Sequence, residues 1–168
     1  MKIAILGDSH DQYDHLHKAV QTANEQGCEL MLHTGDLGAP KNSISILEKF
    51  VGPVRMILGN NDHEIIGLMT NTFSDNNFTL TKERRAGDAL EEEFSGVKVF
   101  MHHYPRIAEL AALSGEYDLC IHGHTHLYRN ELVGSTVLLN PGSIIGEKEP
   151  ASMVVFDVAT KKHEHIIL

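Results

Sequence analysis

Histidine and aspartate recur along the chain in short clusters beside glycine. The chain has twelve histidines among its 168 residues. Asp8 and His10 stand two residues apart, as do His124 and His126, so both members of each pair can point the same way on an extended turn. Histidine is the commonest metal ligand in proteins. The pattern therefore predicts metal binding.

Polar residues also follow several apolar segments that have the character of strands. In open α/β sheets, ligands bind outside the carboxyl ends of the strands. Five such strand ends, meeting at one rim, would bring together a set of carboxylate, amide and imidazole groups. The candidate metal ligands are Asp8, His10, Asp36, Asn60, His102, His124 and His126.

These seven residues are more ligands than one ion needs, because water molecules also occupy coordination positions. Two divalent ions that share a bridging carboxylate would use it economically, and paired ions are a common device for phosphoester hydrolysis. Two such ions (+4) with Asp8 and Asp36 (−2) leave +2, or +1 with a bridging hydroxide, and such a centre attracts a small anion such as phosphate. Ligands that are all oxygen or nitrogen suit Mn, Fe, Zn, Co or Ni and argue against a structural zinc.

The elements that would position these residues follow from hydrophobic periodicity. Parallel β-α-β units are predicted first and antiparallel hairpins later, which indicates an α/β fold of two sheets packed face to face with helices outside. The predicted strands are 2–6, 29–33, 54–58, 90–94, 97–101, 119–122, 127–133, 136–140, 153–158 and 163–168, and the predicted helices are 14–26, 43–50 and 106–113. Residues 65–70 are expected to form one or two helical turns and 71–77 a loop.

Composition narrows the class of protein. A net charge of −9, from 14 basic and 23 acidic side chains, disfavours stable nucleic-acid binding, because surfaces that track phosphates are basic. Neither a membrane span nor a signal-peptide layout is present, so we expect a cytoplasmic protein that forms one domain over residues 1–168. Cys28 and Cys120 are expected to be buried, unpaired thiols.

The order of these motifs resembles the calcineurin-like metallophosphoesterases, and the short chain is similar to their small prokaryotic phosphodiesterase branch. The family pattern is Asp-x-His, Gly-Asp, Gly-Asn-x-Asp or Glu, a His, and Gly-His-x-His. Here it reads Asp8/His10, Gly35-Asp36, Gly59-Asn60-Asn61-Asp62, His102 and Gly123-His124-Thr125-His126.

The resemblance implies a four-layer β-sandwich flanked by helices and a binuclear centre, with manganese as the expected metal. It assigns the first ion to Asp8, His10, Asp36 and His126 and the second to Asp36, Asn60, His102 and His124, with Asp36 bridging. It implies a phosphodiesterase in which a bridging hydroxide attacks phosphorus in line and no covalent enzyme intermediate is required.

Two departures from the family pattern bear on catalysis. Asn61 stands where many relatives carry a histidine that protonates the leaving group, although the small branch often lacks that histidine too. The sequence His102-His103-Tyr104 stands where relatives often have His-Gly-His, and His102 is assigned as the ligand because it follows the strand directly. Asn61, Asp62 and His103 are the candidate catalytic residues. Asp62 as a turn former, and phosphate contact by His63, His103 or Tyr104, stay open.

Two other functions compete with a phosphodiesterase acting on a small phosphoester. One is a phosphomonoesterase or nucleotide phosphatase, since no motif identifies the substrate. The other is a non-catalytic scaffold, because the family includes a membrane-trafficking subunit that uses the fold to bind partners. The full set of ligands in this chain argues against the scaffold. A homo-oligomer is left open.

Overall fold

The structure is a computed structural model that describes residues 1–62, 78–80 and 89–168. His63 and the elements expected over 65–77 therefore lie outside the described residues. The described helices are α1 (Tyr13–Glu25), α2 (Pro40–Leu47) and α3 (Pro105–Ser114). The described strands are β1 (Lys2–Leu6), β2 (Leu30–His33), β3 (Val54–Met56), β4 (Phe78–Leu80), β5 (Ala89–Phe94), β6 (Val97–His102), β7 (Leu119–Ile121), β8 (Tyr128–Val133), β9 (Thr136–Pro141), β10 (Ser152–Asp157) and β11 (Lys162–Ile167).

The strands form two mixed sheets. Sheet one has the order β11-β10-β1-β2-β3-β4, with β1 to β4 parallel and β10 antiparallel to β1. Sheet two has the order β5-β6-β7-β9-β8, in which β6, β7 and β9 are parallel. The predicted parallel front half and later hairpins are confirmed. The last hairpin extends the first sheet, and β4 is a strand that the sequence pattern did not predict.

Alternation along the strands sorts side chains into layers. In β1, Ile3 and Ile5 pack between the two sheets, whereas Ala4 and Leu6 face the buried side of α1. On the far side of sheet two, Ala108 of α3 packs against Cys120 and Leu138. The layers are therefore α1 and α2, sheet one, sheet two, and α3, which is the four-layer α/β fold implied by the resemblance.

Both cysteines lie in this apolar interior, as expected. Cys28 and Cys120 are unpaired and buried, and burial raises the pKa of the Cys120 thiol to about 12. Among the described residues, no helix is long and apolar enough to cross a lipid bilayer.

The turn that leaves β2 depends on a glycine. Gly35 has a φ of +99°, and a Cβ built on it would lie 2.5 Å from the backbone nitrogen of Gly59 in the turn after β3. Gly96, in the hairpin between β5 and β6, has a similar φ of +84°, but a Cβ there would meet nothing within 4 Å. The two glycines share the left-handed backbone and differ in the close approach of a neighbouring segment.

We expect Gly35→Ala to lower the free energy of unfolding by considerably more than Gly96→Ala. The hairpin variant carries only the left-handed strain of about 1–2 kcal/mol. The Gly35 variant adds overpacking against backbone, which costs about 1–3 kcal/mol more. Urea denaturation of the two metal-free variants measures the difference, and equal losses would contradict the close packing of these two turns.

Candidate metal centre

Most of the predicted ligands occupy strained backbone at the ends of strands. Eight non-glycine residues in the described part of the chain have positive φ. Five of them are predicted ligands: Asp8 (50°), His10 (42°), Asp36 (54°), His124 (68°) and His126 (62°). Such conformations cost free energy and tend to persist where a functional site requires them. They turn the chain sharply after β1, β2 and β7.

Asp62 fastens two of these turns to each other. Its buried carboxylate accepts hydrogen bonds from the backbone nitrogens of Asp36, Leu37 and Gly59, each at 2.7 Å. The turn after β2 is thereby tied to the turn after β3. Because the carboxylate is fully engaged with backbone, the structure favours the turn-forming interpretation of Asp62 over the catalytic one.

Asp8, His10 and His126 bring their ligand atoms to within 4.8 Å of one another. Asp8 is fully buried, and its carboxylate accepts the backbone nitrogen of His124. His126 Nε2 lies 3.5 Å from Asp8 Oδ1. His10 Nε2 is buried without a hydrogen-bond partner in the described part of the chain and lies 3.5 Å from Asp36 Oδ2.

A second group of ligand atoms surrounds His103. Its Nε2 lies 3.5 Å from Asp36 Oδ2, 3.0 Å from Asn60 Oδ1 and 3.2 Å from His124 Nδ1. His124 Nδ1 also lies 2.8 Å from Asn60 Oδ1. Asp8 is within 4.8 Å of both Asp36 and His103, but Asp36 Oδ2 is the atom at equal distance from His10 and His103.

In His103 and His126, the ring nitrogen that points away from the cluster donates a hydrogen bond. The nitrogen that faces the cluster therefore carries the lone pair of the neutral ring. His103 Nδ1 donates to the carbonyl of Thr34 at 2.9 Å, so in the neutral ring Nε2 carries the lone pair. His126 Nδ1 likewise donates to Glu147 Oε1 at 3.0 Å. Bare nitrogens would then face carboxylate and amide oxygens, an arrangement that repels unless a cation lies between them.

The distances fit a metal ion better than direct ion pairs. A charged N–H to carboxylate hydrogen bond is about 2.7–2.9 Å long. The Nε2 atoms of His10, His103 and His126 instead stand 3.5 Å from carboxylate oxygens. Two ligands each about 2.1 Å from one ion are separated by roughly 3.0–3.4 Å. The residues present therefore fit divalent cations.

The electrostatics of the cluster also favour positive charge. Burial alone would raise the pKa of Asp36, but bonds to His103 and Asn61 outweigh it and hold that pKa well below its usual range. Burial opposes the charged form of His103, yet the pairing with Asp36 and the charge of Asp8 raise its pKa. The pairing with Asp8 raises the pKa of His126. The negative charges that raise the pKa values of His103 and His126 would also stabilise a metal cation in this cluster.

The ligand groups formed by the described part of the chain contain His103 rather than His102. Val97, Val99 and Met101 of β6 face the core between the sheets, so the next residue on that side is His103 and His102 points to the other face. The Nδ1 of His102 accepts the backbone nitrogen of Tyr104 at 3.1 Å. The structure thus places His103, and not the expected His102, among the ligand atoms. The alternation of β6 was the sequence signal that separates the two.

Asn61 and Tyr104 lie at the open side of the cluster. Asn61 donates from its backbone nitrogen and from Nδ2 to the two oxygens of Asp36, both at 2.8 Å, a role in orienting Asp36 that the sequence did not suggest. Tyr104 is 43% exposed, and its ring centroid lies 4.8 Å from that of His124. The structure puts both residues where a molecule approaching the cluster would meet them.

His33 connects two of the ligand-bearing turns from behind. Its Nδ1 accepts the backbone nitrogen of Gly35, so Nε2 carries the proton and faces Ser9 Oγ at 3.2 Å. Burial lowers the pKa of His33 to about 4, so the ring stays neutral near pH 7. His33 is thus an interior residue that supports the ligand-bearing turns.

Comparison with known proteins identifies the family. A sequence model of the calcineurin-like phosphoesterase superfamily domain matches residues 1–161. Phosphodiesterase MJ0936 of Methanocaldococcus jannaschii is 30% identical over an alignment that covers all of this chain and 99% of that protein. A solved structure described as a novel archaeal phosphodiesterase superposes with a TM-score of 0.85, at 28% identity and with complete coverage of both chains.

The same fold also occurs in proteins named for vacuolar protein sorting. Vps29 of Entamoeba histolytica, in a structure described as complexed with Zn²⁺, has a TM-score of 0.64 at 17% identity, covering 99% of each chain. That likeness concerns the fold alone. With the family model matched over nearly the full length and the motifs gathered at one end of the sandwich, the chain belongs to the calcineurin-like phosphoesterase superfamily.

Proposed function

We propose that this protein is a phosphodiesterase that works with two divalent metal ions. The observation that carries the proposal is the position of Asp36 Oδ2, which lies 3.5 Å from both His10 Nε2 and His103 Nε2. A carboxylate placed equally between two imidazoles of different ligand groups is suited to bridge two ions. The name of the archaeal relative, a phosphodiesterase, supports the same reaction class.

The residues divide into two ligand sets that share the bridge. The first ion is assigned to Asp8, His10, Asp36 and His126, and the second to Asp36, Asn60, His103 and His124. We expect manganese, with iron, zinc, nickel or cobalt as other ions that suit oxygen and nitrogen ligands.

Two ions held there would supply a bridging hydroxide as nucleophile and would stabilise negative charge on the phosphoryl oxygens. The chain's own contribution is to fix that centre. Buried Asp8 and Asp36 hold it from one side, and Asn61 keeps both oxygens of Asp36 oriented. The positive charge of the ions would attract an anionic substrate to a chain whose net charge is −9.

A diester suits the site better than a monoester. Asn61 replaces a histidine that could neutralise the extra charge of a monoester dianion and protonate its leaving group. Without that histidine, substrates with good leaving groups and one negative charge are favoured. The proposed substrates are therefore small phosphodiesters.

Turnover separates the enzyme from a scaffold of the same fold. Metal binding alone does not, because a Vps29 structure is described as a zinc complex. The test is metal analysis of the purified protein, followed by assay of the manganese-loaded protein with bis-para-nitrophenyl phosphate and para-nitrophenyl phosphate. We expect two ions per chain and faster turnover of the diester. A fully loaded protein without turnover would overturn the enzymatic proposal.

Asp36→Asn should remove more metal and more activity than His10→Ala. The bridging carboxylate would contact both ions, whereas His10 would contact one. We expect Asp36→Asn to lose activity by more than the roughly 10–100-fold typical of losing an outer partner of a ligand, with a fall in bound metal measured by elemental analysis. Unchanged metal stoichiometry in Asp36→Asn would contradict the two-ion arrangement.

His103→Gln and His102→Gln form a matched pair of neighbours. Since His103 belongs to the ligand group that it forms with Asp8 and Asp36, its variant should lose the second ion and more than about tenfold in activity. His102→Gln should retain both ions. Elemental analysis and diester turnover of the two variants measure this, and the opposite ranking would restore His102 as the ligand.

Asn61→His should shift turnover toward monoesters relative to diesters. An imidazole at this place could both neutralise the additional charge and donate a proton. Because Asn61 also orients Asp36, metal content must be measured in the variant before rates are compared. A wild type that prefers monoesters, together with no change of the ratio in the loaded variant, would refute this account of specificity.

A further inference from the structure

We propose that Glu147 is a positioning residue that orients His126 toward the first ion. The inference rests on the proposed metal centre. Glu147 Oε1 lies 3.0 Å from His126 Nδ1, on the side of the ring that faces away from Asp8. A ligand histidine that donates its other N–H to a carboxylate is fixed in tautomer and ring orientation and becomes a more basic ligand.

The loop that carries Glu147 is anchored to the turn that carries Asp8. The backbone nitrogen of Ile144 donates to the carbonyl of Gly7, and that of Ile145 donates to the carbonyl of Asp8, both at 3.0 Å. Glu147 follows two residues later. The position of its carboxylate is thus set relative to Asp8, the partner on the opposite side of His126.

The same loop also contacts the turn that carries His126. Lys148 Nζ donates to the carbonyl of Thr125 at 2.9 Å, directly before His126 in the chain. The loop between β9 and β10 therefore joins the turn after β1 to the turn after β7. Glu147 contacts His126 from a segment that is held at both sides.

The two ions would differ in what supports their histidines. His103 donates its Nδ1 proton to a neutral backbone carbonyl, that of Thr34, in the interior. His126 donates to a charged carboxylate whose side chain is 50% exposed. A change at Glu147 should therefore weaken the first ion and leave the second unaffected.

The test is a titration of the metal-free protein with Mn²⁺, measured by isothermal titration calorimetry. Loss of an outer partner of a ligand typically weakens metal affinity about 10–100-fold, and the exposure of Glu147 places the expected effect near tenfold. We expect Glu147→Ala to weaken one of two Mn²⁺ sites by about tenfold, and Glu147→Gln to weaken it less, because its amide oxygen still accepts the Nδ1 proton.

Glu149→Ala is the matched control. Glu149 lies in the same loop and carries the same charge, but its carboxylate accepts the backbone nitrogen of Tyr128 at 2.8 Å. Its variant should bind Mn²⁺ as the wild type does. An equal loss in Glu149→Ala would assign the effect to the charge or integrity of the loop and would overturn the positioning role.

A double variant tests whether Glu147 acts through His126. Once His126→Ala has removed the ligand, adding Glu147→Ala should change the remaining Mn²⁺ affinity no further. A further loss in the double variant, wild-type affinity in Glu147→Ala, or weakening of both sites would each overturn the inference. A wild type that binds neither Mn²⁺ nor Zn²⁺, Co²⁺ or Ni²⁺ would instead refute the metal centre itself, so the two failures are distinguishable.

Discussion

Two carboxylates that are almost completely shielded from water dominate the energetics of this end of the sandwich. Asp8 is 0% exposed and Asp36 is 1% exposed. An ionised carboxylate in a protein interior carries a desolvation penalty of several kcal/mol unless it is compensated. Backbone nitrogens of His124 and Asn61 provide part of the compensation. Imidazoles that face the carboxylates at 3.5 Å mark the place where a cation would provide the rest.

This centre exists only because the two sheets are packed in one relative position. Asp8 and Asp36 follow strands of sheet one, whereas His103 and His124 follow strands of sheet two. Apolar contacts between the sheets, such as those among Ile3, Ile5 and Ile121, hold that position. Ions that bound only the folded chain would stabilise it by linkage, so metal binding would reinforce the packing between the sheets.

The sequence predicted those parts of the site that depend on local order. Asp8, Asp36 and Asn60, which the structure places around His103, were predicted as ligands because each lies shortly after a predicted strand, and parallel strands end at one edge. The sequence assigned His102, whereas the structure brings His103 to the ligand cluster, because a shift of one residue exchanges the two faces of a strand. The contact between His126 and Glu147 joins segments 21 residues apart and has no local signal.

The exposure of the centre argues for chemistry rather than support alone. A structural metal site is closed by its protein ligands, whereas a catalytic site keeps a position open. Here 23% of the His10 side chain is exposed, and Asn61 and Tyr104 border the same opening. The backbone at five ligand positions is strained, with positive φ values that cost free energy. Strain that aims ligands at a site open to solvent is expected where a substrate must reach the ions.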